Sequence, residues 1–230
     1  MAVLICTAIL GSAAEIADAA PSRAMIKNRV RSAISALKTP TTALSVHWPA
    51  HRLRPTMISG LSFLAKGATL ASRATAFLRA NTDLLATGLG DLSLLDQRST
   101  HTRRVLRYRQ TYRGLPVIGT MVTVTFDQSG KIHALHQRTA AVNLATIAPK
   151  AKGRAAVIAT FAALRVSPAA TLLSQSATTL AVLVEGAPRL IHVVTLPYTV
   201  DPRGRRHFVD ATDGRYLGHR PGVILEGVRR

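Results

Sequence analysis

The sequence predicts an α+β fold of two tandem small modules, each a helix packed on an antiparallel β-meander, after a basic N-terminal leader. Apolar residues recur first at helical spacing and then at every second position, and this order of helix followed by strands occurs twice. Hydrophobic residues make up 47% of the 230 residues, enough to bury a sizeable core. The two modules are expected at 69–147 and 153–220.

The first 20 residues have the apolar core and small-residue exit of a secretory signal peptide, although its basic front end is missing. The alternative is a buried N-terminal helix. The longest apolar run, Met1–Gly11, is about half the length of a membrane span, so no transmembrane helix is expected. Cys6 is the only cysteine, and a mature chain without it would have no disulfide and no thiol. We expect a secreted or periplasmic protein.

Residues 21–68 are interpreted as a basic leader or linker, because three prolines interrupt them and only one amphipathic helix, near Ala24–Leu37, is expected there. No acidic residue occurs between Asp18 and Asp83, and the chain carries a net charge of +19. Such a charge attracts nucleic acid, an anionic membrane surface or an acidic protein.

The first module is expected to contain one helix and three strands. Apolar residues at 70, 74, 77 and 78 predict one face of the helix, and Gly88 and Gly90 end the apolar pattern that continues to 84 and 85. Strict alternation and intervening turn residues predict the strands. The expected elements are a helix at Leu70–Asn81 and strands at Arg104–Tyr112, Val117–Phe126 and Lys131–Gln137.

The second module is expected to contain a helix at Ala155–Leu164, followed by a meander. Its buried stripe is assigned to Ala155, Ile158, Ala159, Ala162 and Val166. Turn residues separate the strands that follow it. These strands are expected at Leu180–Val184, Leu190–Pro197, Arg206–Asp210 and Arg215–Gly218.

No catalytic constellation is recognisable in the sequence. The His-Glu-x-x-His pattern of zinc peptidases is absent, and His133 and His136, three apart on a strand, point to opposite faces and cannot bind one ion. His207 is interpreted as part of a solvated hairpin near Asp210 and Asp213, and Asp201 as an ordinary turn residue. We therefore expect no enzyme activity, no metal and no cofactor.

One stretch is specific enough to suggest a family. Residues 104–119, Arg-Val-Leu-Arg-Tyr-Arg-Gln-Thr-Tyr-Arg-Gly-Leu-Pro-Val-Ile-Gly, closely resemble the signature strand-turn-strand of the fungalysin/thermolysin propeptide (FTP) family. The upstream helix is similar to the helix that this family places there, so the resemblance spans about 69–137. The positions that match the motif are Tyr108, Gln110, Tyr112, Gly114, Pro116 and Gly119.

The second half of the chain resembles the PepSY module that commonly follows in such prosegments. Its distinctive part is His-Phe-Val-Asp-Ala-Thr-Asp-Gly-Arg-Tyr-Leu at 207–217. Within it, Phe208 is expected in a strand, and Asp210 and Gly214 in the turn region. All three are interpreted as structural residues.

The resemblance implies a prosegment of a thermolysin- or fungalysin-type zinc metalloprotease, acting as folding chaperone or inhibitor of the catalytic domain in cis or in trans. The catalytic domain itself is absent from this sequence, so a stand-alone protein and the remnant of a truncated zymogen both stay open. The tail 221–230 is the candidate inhibitory segment, in which Val223, Ile224 and Leu225 could add to a strand edge of the partner.

Two other interpretations compete with this one. The net charge of +19 is typical of a nucleic-acid or anionic-surface binding protein, but aromatic residues for base stacking amount to only 4%. A periplasmic sensor or ligand-binding module rests only on analogy between folds.

Overall fold

A computed structural model describes residues 21–38 and 43–221. The sequence prediction of a mixed α+β fold is confirmed: four helices pack on one large, almost entirely antiparallel sheet of 11 strands in this part of the chain. The helices are α1 (Arg23–Ala36), α2 (Leu70–Ala80), α3 (Gly153–Ala163) and α4 (Ala170–Gln175). None of the helices in the described ranges is long and apolar enough to cross a membrane.

The strands follow the chain in two groups. The first group is β1 (Ser45–His47), β2 (Met57–Phe63), β3 (Leu92–Ser99), β4 (Arg104–Tyr112), β5 (Leu115–Ile118), β6 (Met121–Phe126) and β7 (Ile132–Arg138). The second group is β8 (Ala177–Leu183), β9 (Arg189–Thr195), β10 (Arg206–Asp210) and β11 (Tyr216–Arg220). The order across the sheet is β1-β2-β7-β6-β4-β5-β8-β9-β10-β11, and β3 pairs with β4 beside this path.

The interpretation of residues 21–68 as a leader outside the modules is wrong for its described part. Helix α1 buries Val30 and Ile34 in the first core, and Leu37, the residue that caps the helix, continues the same face at i+7. Strand β2 pairs with β7, and β1 pairs with β2. The basic residues between these apolar positions face solvent, which is why the segment looks like a linker in the sequence.

The meander of the first module differs from the prediction at two points. The strand expected at Val117–Phe126 is broken, because Gly119 has a φ of +81° and separates β5 from β6. Strand β6 continues the meander with β4 and β7, whereas β5 turns away and pairs in parallel with β8. Strand β3, which is eight residues long and pairs with β4 with a bulge between Leu94 and Asp96, was not predicted.

Helix α3 lies where the second helix was expected, but it buries another face. Ala156, Val157, Thr160 and Phe161 are buried, whereas Ile158 of the predicted stripe is 45% exposed. This helix is apolar almost all round, so spacing alone does not select a face. The large Phe161 side chain decides it by packing under strands β9 and β10 against Val194 and Val209. The predicted strands of the second module are confirmed within three residues at each end.

Helices α1 and α2 pack on one side of the strands of the first half. In the first module, the side chains of Leu106, Val124 and Leu135 point toward α1 and α2. The alternate residues of the same strands point the other way, where no helix of the described residues joins the core. We name this second surface the open face. By strand register it consists of Ser45, His47, Met57, Ser59, Ser93, Asp96, Arg98, Val105, Arg107, Arg109, Met121, Thr123, Thr125, Ala134, His136 and Arg138.

The expected division near 148–153 stays a prediction. The parallel pair of Val117 with Val182 and Ile118 with Leu183 runs one sheet through both halves. Ile118 also packs on a small apolar cluster of the second half that includes Leu183 and Phe208. The two halves are therefore in direct contact through backbone and side chains.

Candidate functional site

Histidine and acidic side chains are the first candidates for chemistry in this chain. Within residues 21–38 and 43–221, no group of three or more His, Cys, Asp and Glu side chains is placed to hold a metal ion. His133 and His136 lie on β7, and His136 belongs to the open face. The absence of a bound metal stays a prediction that metal analysis of the purified protein tests.

The residues of the FTP-like motif have a definite structural task. On β4, Tyr108, Gln110 and Tyr112 lie on the same side of the strand because residues two apart share a face. Tyr108 is 6% exposed and packs in the first core. Gln110 and Tyr112 instead reach the chain segment that leaves β7 and leads to α3.

Gln110 and Tyr112 bind this connecting segment by its backbone. The Gln110 amide donates to the Ala140 carbonyl at 2.7 Å and accepts from the Ala140 N–H at 3.0 Å. The Tyr112 hydroxyl accepts from the Leu144 N–H at 3.2 Å and lies 3.4 Å from the Leu144 carbonyl. Both side chains thus take the place of a neighbouring strand. They satisfy backbone N–H and C=O groups of a segment that has no regular structure.

The connecting segment is held at its other end by the second module. The N–H groups of Lys150 and Ala151 both donate to the Ala211 carbonyl at 2.9 Å. The buried His192 ring makes a 2.8 Å hydrogen bond to the Ala151 carbonyl. The segment between the modules is therefore bound by side chains of the first and by the sheet of the second.

The remaining motif residues shape the turn after β4. Arg113 and Gly114 form a two-residue hairpin loop with φ values of +48° and +83°, and Tyr112 pairs with Leu115 across it. A loop with two positive φ values favours glycine at its second position. Pro116 lies on β5 opposite Thr111, and Gly119 ends this strand.

The second motif lies in strand β10 and the turn that follows it, and its interpretation as structural stays a prediction. Phe208 is 5% exposed in the cluster shared with Ile118. Asp210 accepts a hydrogen bond from the Thr212 N–H at 2.8 Å and lies 3.9 Å from Arg189. Gly214, with a φ of +77°, donates its N–H to the Asp210 carbonyl and closes the turn into β11.

The interpretation of His207 as a solvated hairpin residue is wrong. His207 is 0% exposed, and its Nε2 lies 3.0 Å from Asp201 Oδ2, while Asp201 is itself 1% exposed. Asp201 therefore does more than form a turn. Sequence spacing pairs His207 with Asp210 and Asp213 in the predicted hairpin. The turn between residues 201 and 207 instead brings the Asp201 carboxylate to the His207 imidazole.

His207 and Asp201 belong to a closed ring of five hydrogen-bonded side chains, which we name the polar ring. Its other members are Arg205, Tyr216 and His219. Arg205 Nε lies 3.0 Å from Asp201 Oδ1, and its Nη1 lies 3.2 Å from His219 Nε2. The Tyr216 hydroxyl lies 3.1 Å from His207 Nδ1 and 3.4 Å from His219 Nδ1.

The chemistry of the members fixes the direction of each bond. A guanidinium only donates, so His219 Nε2 accepts and a neutral His219 donates from Nδ1 to Tyr216. A carboxylate only accepts, so His207 donates from Nε2 and accepts at Nδ1 from the Tyr216 hydroxyl. Each of these groups therefore has a hydrogen-bond partner within the polar ring.

Burial and hydrogen bonding both act on the protonation of the ring. Burial lowers the pKa of His207 below its ordinary value, and the hydrogen bond to Asp201 opposes this only in part. Burial would raise the pKa of Asp201, but hydrogen bonds from His207 and Arg205 outweigh it and hold the pKa below its ordinary value. The ring is therefore arranged for a neutral His207 beside an ionised Asp201.

The candidate partner-binding residues Val223, Ile224 and Leu225 lie outside the described residues, so the tail stays a prediction. The last described strand, β11, leads to this tail from the edge of the sheet. Its final residue, Arg220, forms an ion pair with Glu185 in the turn between β8 and β9.

Comparison with known proteins supports the resemblance for part of the chain. The family model described as Fungalysin/Thermolysin Propeptide Motif matches residues 99–138, which span β4 to β7. This match identifies a propeptide-like region rather than a catalytic one, as predicted. It includes Gln110 and Tyr112, the residues that bind the connecting segment.

Two further comparisons complete this result. The solved structure of the Bacillus megaterium YpeB C-terminal domain is 11% identical to this chain, with a TM-score of 0.40, over 87% of this chain and 97% of that domain. The curated proteins contain no match to the chain. The interpretation of 153–220 as a PepSY-like module stays a prediction.

Proposed function

We propose that this chain is a protease-prosegment-like protein that binds the catalytic domain of a secreted zinc metalloprotease, assists its folding and covers its cleft. The observation that carries the proposal is the family match at 99–138, because propeptides of this family belong to such proteases. On this proposal the protein is secreted or periplasmic.

The contacts of the matched region support a binding role. Two side chains of the motif, Gln110 and Tyr112, bind the segment that connects the two halves, and the β5–β8 pair joins the halves directly. A partner therefore meets one preformed surface, and a preformed surface loses less conformational entropy on binding than a flexible one.

The proposal is tested by refolding a denatured thermolysin-type catalytic domain with and without the full chain, and by assaying inhibition of the mature protease. We expect a higher yield of active protease on refolding and inhibition of the folded enzyme. The matched control is an unrelated basic protein of similar size, because a net charge of +19 alone can bind acidic proteins.

The same experiment separates the alternative function. If the chain acts no better than the basic control, and binds DNA tightly in a salt-sensitive manner, the protein is a nucleic-acid binder instead. Inhibition without any gain in refolding yield would retain the inhibitor role and remove the chaperone role.

A further inference from the structure

The open face of the sheet is a regular surface that the described helices leave uncovered. Its central row crosses six strands by direct register, from β3 at one edge to β1 at the other. This row is Asp96, Arg107, Thr123, His136, Met57 and His47. A surface of this kind on a soluble module is a candidate for protein contact, because the opposite side of the same strands already forms the core.

The open face is strongly asymmetric in charge. It carries four arginines, Arg98, Arg107, Arg109 and Arg138, and one acid, Asp96. Arg107 binds Asp96 through two hydrogen bonds, with its Nε 2.7 Å from Asp96 Oδ1. The hydrogen bond from Arg107 holds the pKa of Asp96 below its usual range, so Asp96 stays ionised and the excess charge of the face is positive.

Two methionines add apolar contact area between the arginines. Met57 is 38% exposed and Met121 is 39% exposed, and Arg138 pairs with Met121 across the strands. Methionine is flexible and polarisable, which suits a surface that packs against another protein. The face contains no Phe, Tyr or Trp, so it lacks the stacking platform that single-stranded nucleic acid requires.

We propose that the open face docks on an acidic patch of a protein partner, with Arg109, Met121 and Arg138 at the centre of the contact. The identity of the partner as a protease catalytic domain rests on the proposed function; the choice of surface rests on the register, charge and exposure of these residues. Complementary charge guides the encounter and fixes the orientation, while the methionines supply desolvated contact.

The test reverses the charge of two exposed arginines on this face in the full chain, Arg109→Glu with Arg138→Glu. The matched control reverses Arg31 on α1 and Arg154 on α3, which are exposed on the helix side. Both double variants then have the same net charge. Equal urea unfolding midpoints of the three proteins establish that each is folded, and a variant that unfolds early is replaced by Arg109→Ser with Arg138→Ser.

Three probes are used: a thermolysin-type catalytic domain, poly-L-glutamate, and single-stranded DNA of equal charge. We expect the open-face variant to bind the catalytic domain about tenfold more weakly or worse at low salt, the control to bind like the wild type, and the difference to shrink in high salt.

Each other result has a distinct meaning. If the wild type and both variants bind the catalytic domain equally, the proposed function stands and the open face is the wrong surface. If the wild type ignores the protease but binds poly-L-glutamate through Arg109 and Arg138, the proposed function fails and the docking surface stands. Binding of DNA in preference to poly-L-glutamate through these arginines, or no binding of any probe, overturns the proposal.

Discussion

Replacing His207 by glutamine should lower the stability of the protein at neutral pH and also remove part of its sensitivity to acid. Glutamine can keep one hydrogen bond of the buried ring, but Asp201 or the Tyr216 hydroxyl then loses a partner. An unsatisfied buried group costs about 1–3 kcal/mol, so we expect His207→Gln to lower the free energy of unfolding by about this amount at pH 7.5.

The pH dependence follows from the sign of the pKa shift. The folded protein holds the pKa of His207 below its ordinary value of 6.5, so between these two values the unfolded chain binds more protons than the folded one. The contribution of His207 to the free energy of unfolding is therefore fully present above pH 6.5. It is lost as the pH decreases from 6.5 through the pKa of His207 in the folded protein, at up to about 1.4 kcal/mol per pH unit. The lowered pKa of Asp201 adds a second loss as the pH decreases below 3.8.

Urea unfolding at pH 8, 7, 6 and 5 measures this effect for the wild type and for His207→Gln. The control is His101→Gln, since His101 is exposed in the loop between β3 and β4 and the Gln128 amide binds only its backbone carbonyl. We expect the slope of stability against pH between 6.5 and 5 to be shallower in His207→Gln than in the other two proteins. Equal slopes in all three would refute the role assigned to the polar ring.

Three further predictions concern the connections of the chain. Gln110→Leu should lower the free energy of unfolding by about 1–3 kcal/mol in urea titrations, because two backbone bonds to the connecting segment are lost, whereas Gln97→Leu on the exposed part of β3 should change it little. Limited proteolysis should leave 43–68 in the fragment that contains the first core, and release of this segment before cleavage near 148–153 would contradict its place in the sheet. A chain that ends at Pro221 keeps all of β11, so loss of inhibition relative to the full chain would locate the inhibitory segment in the tail, and equal potency would exclude it.

Most regular elements could be predicted from local pattern. The alternation in β4 and the turn at Arg113–Gly114 follow from neighbouring residues alone, and the structure has both. The two halves with a helix before a meander follow from the change of apolar period near 104 and near 180. In these stretches, local propensity and tertiary contacts favour the same structure.

The prediction failed where a long-range contact decides the outcome. Val30 and Ile34 form a correctly spaced stripe, but only packing against the first core distinguishes an integral helix from an isolated one in a basic segment. The burial of His207 depends on the turn that returns Asp201 and Arg205 to it, and sequence distance does not reveal this turn. The alternation of residues along each strand predicts which side chains belong to the open face. Which of them lie next to one another across the six strands depends on the strand register, which the sequence does not reveal.

The break at Gly119 connects the motif to the organisation of the whole chain. Strands β5 and β6 both pair with β4, and Gly119, with a φ of +81°, lies between them. The last two residues of β5, Val117 and Ile118, pair with β8. The same motif supplies Gln110 and Tyr112, which hold the segment between the modules. Polar and glycine positions of one motif therefore lie where the two halves of the chain are joined.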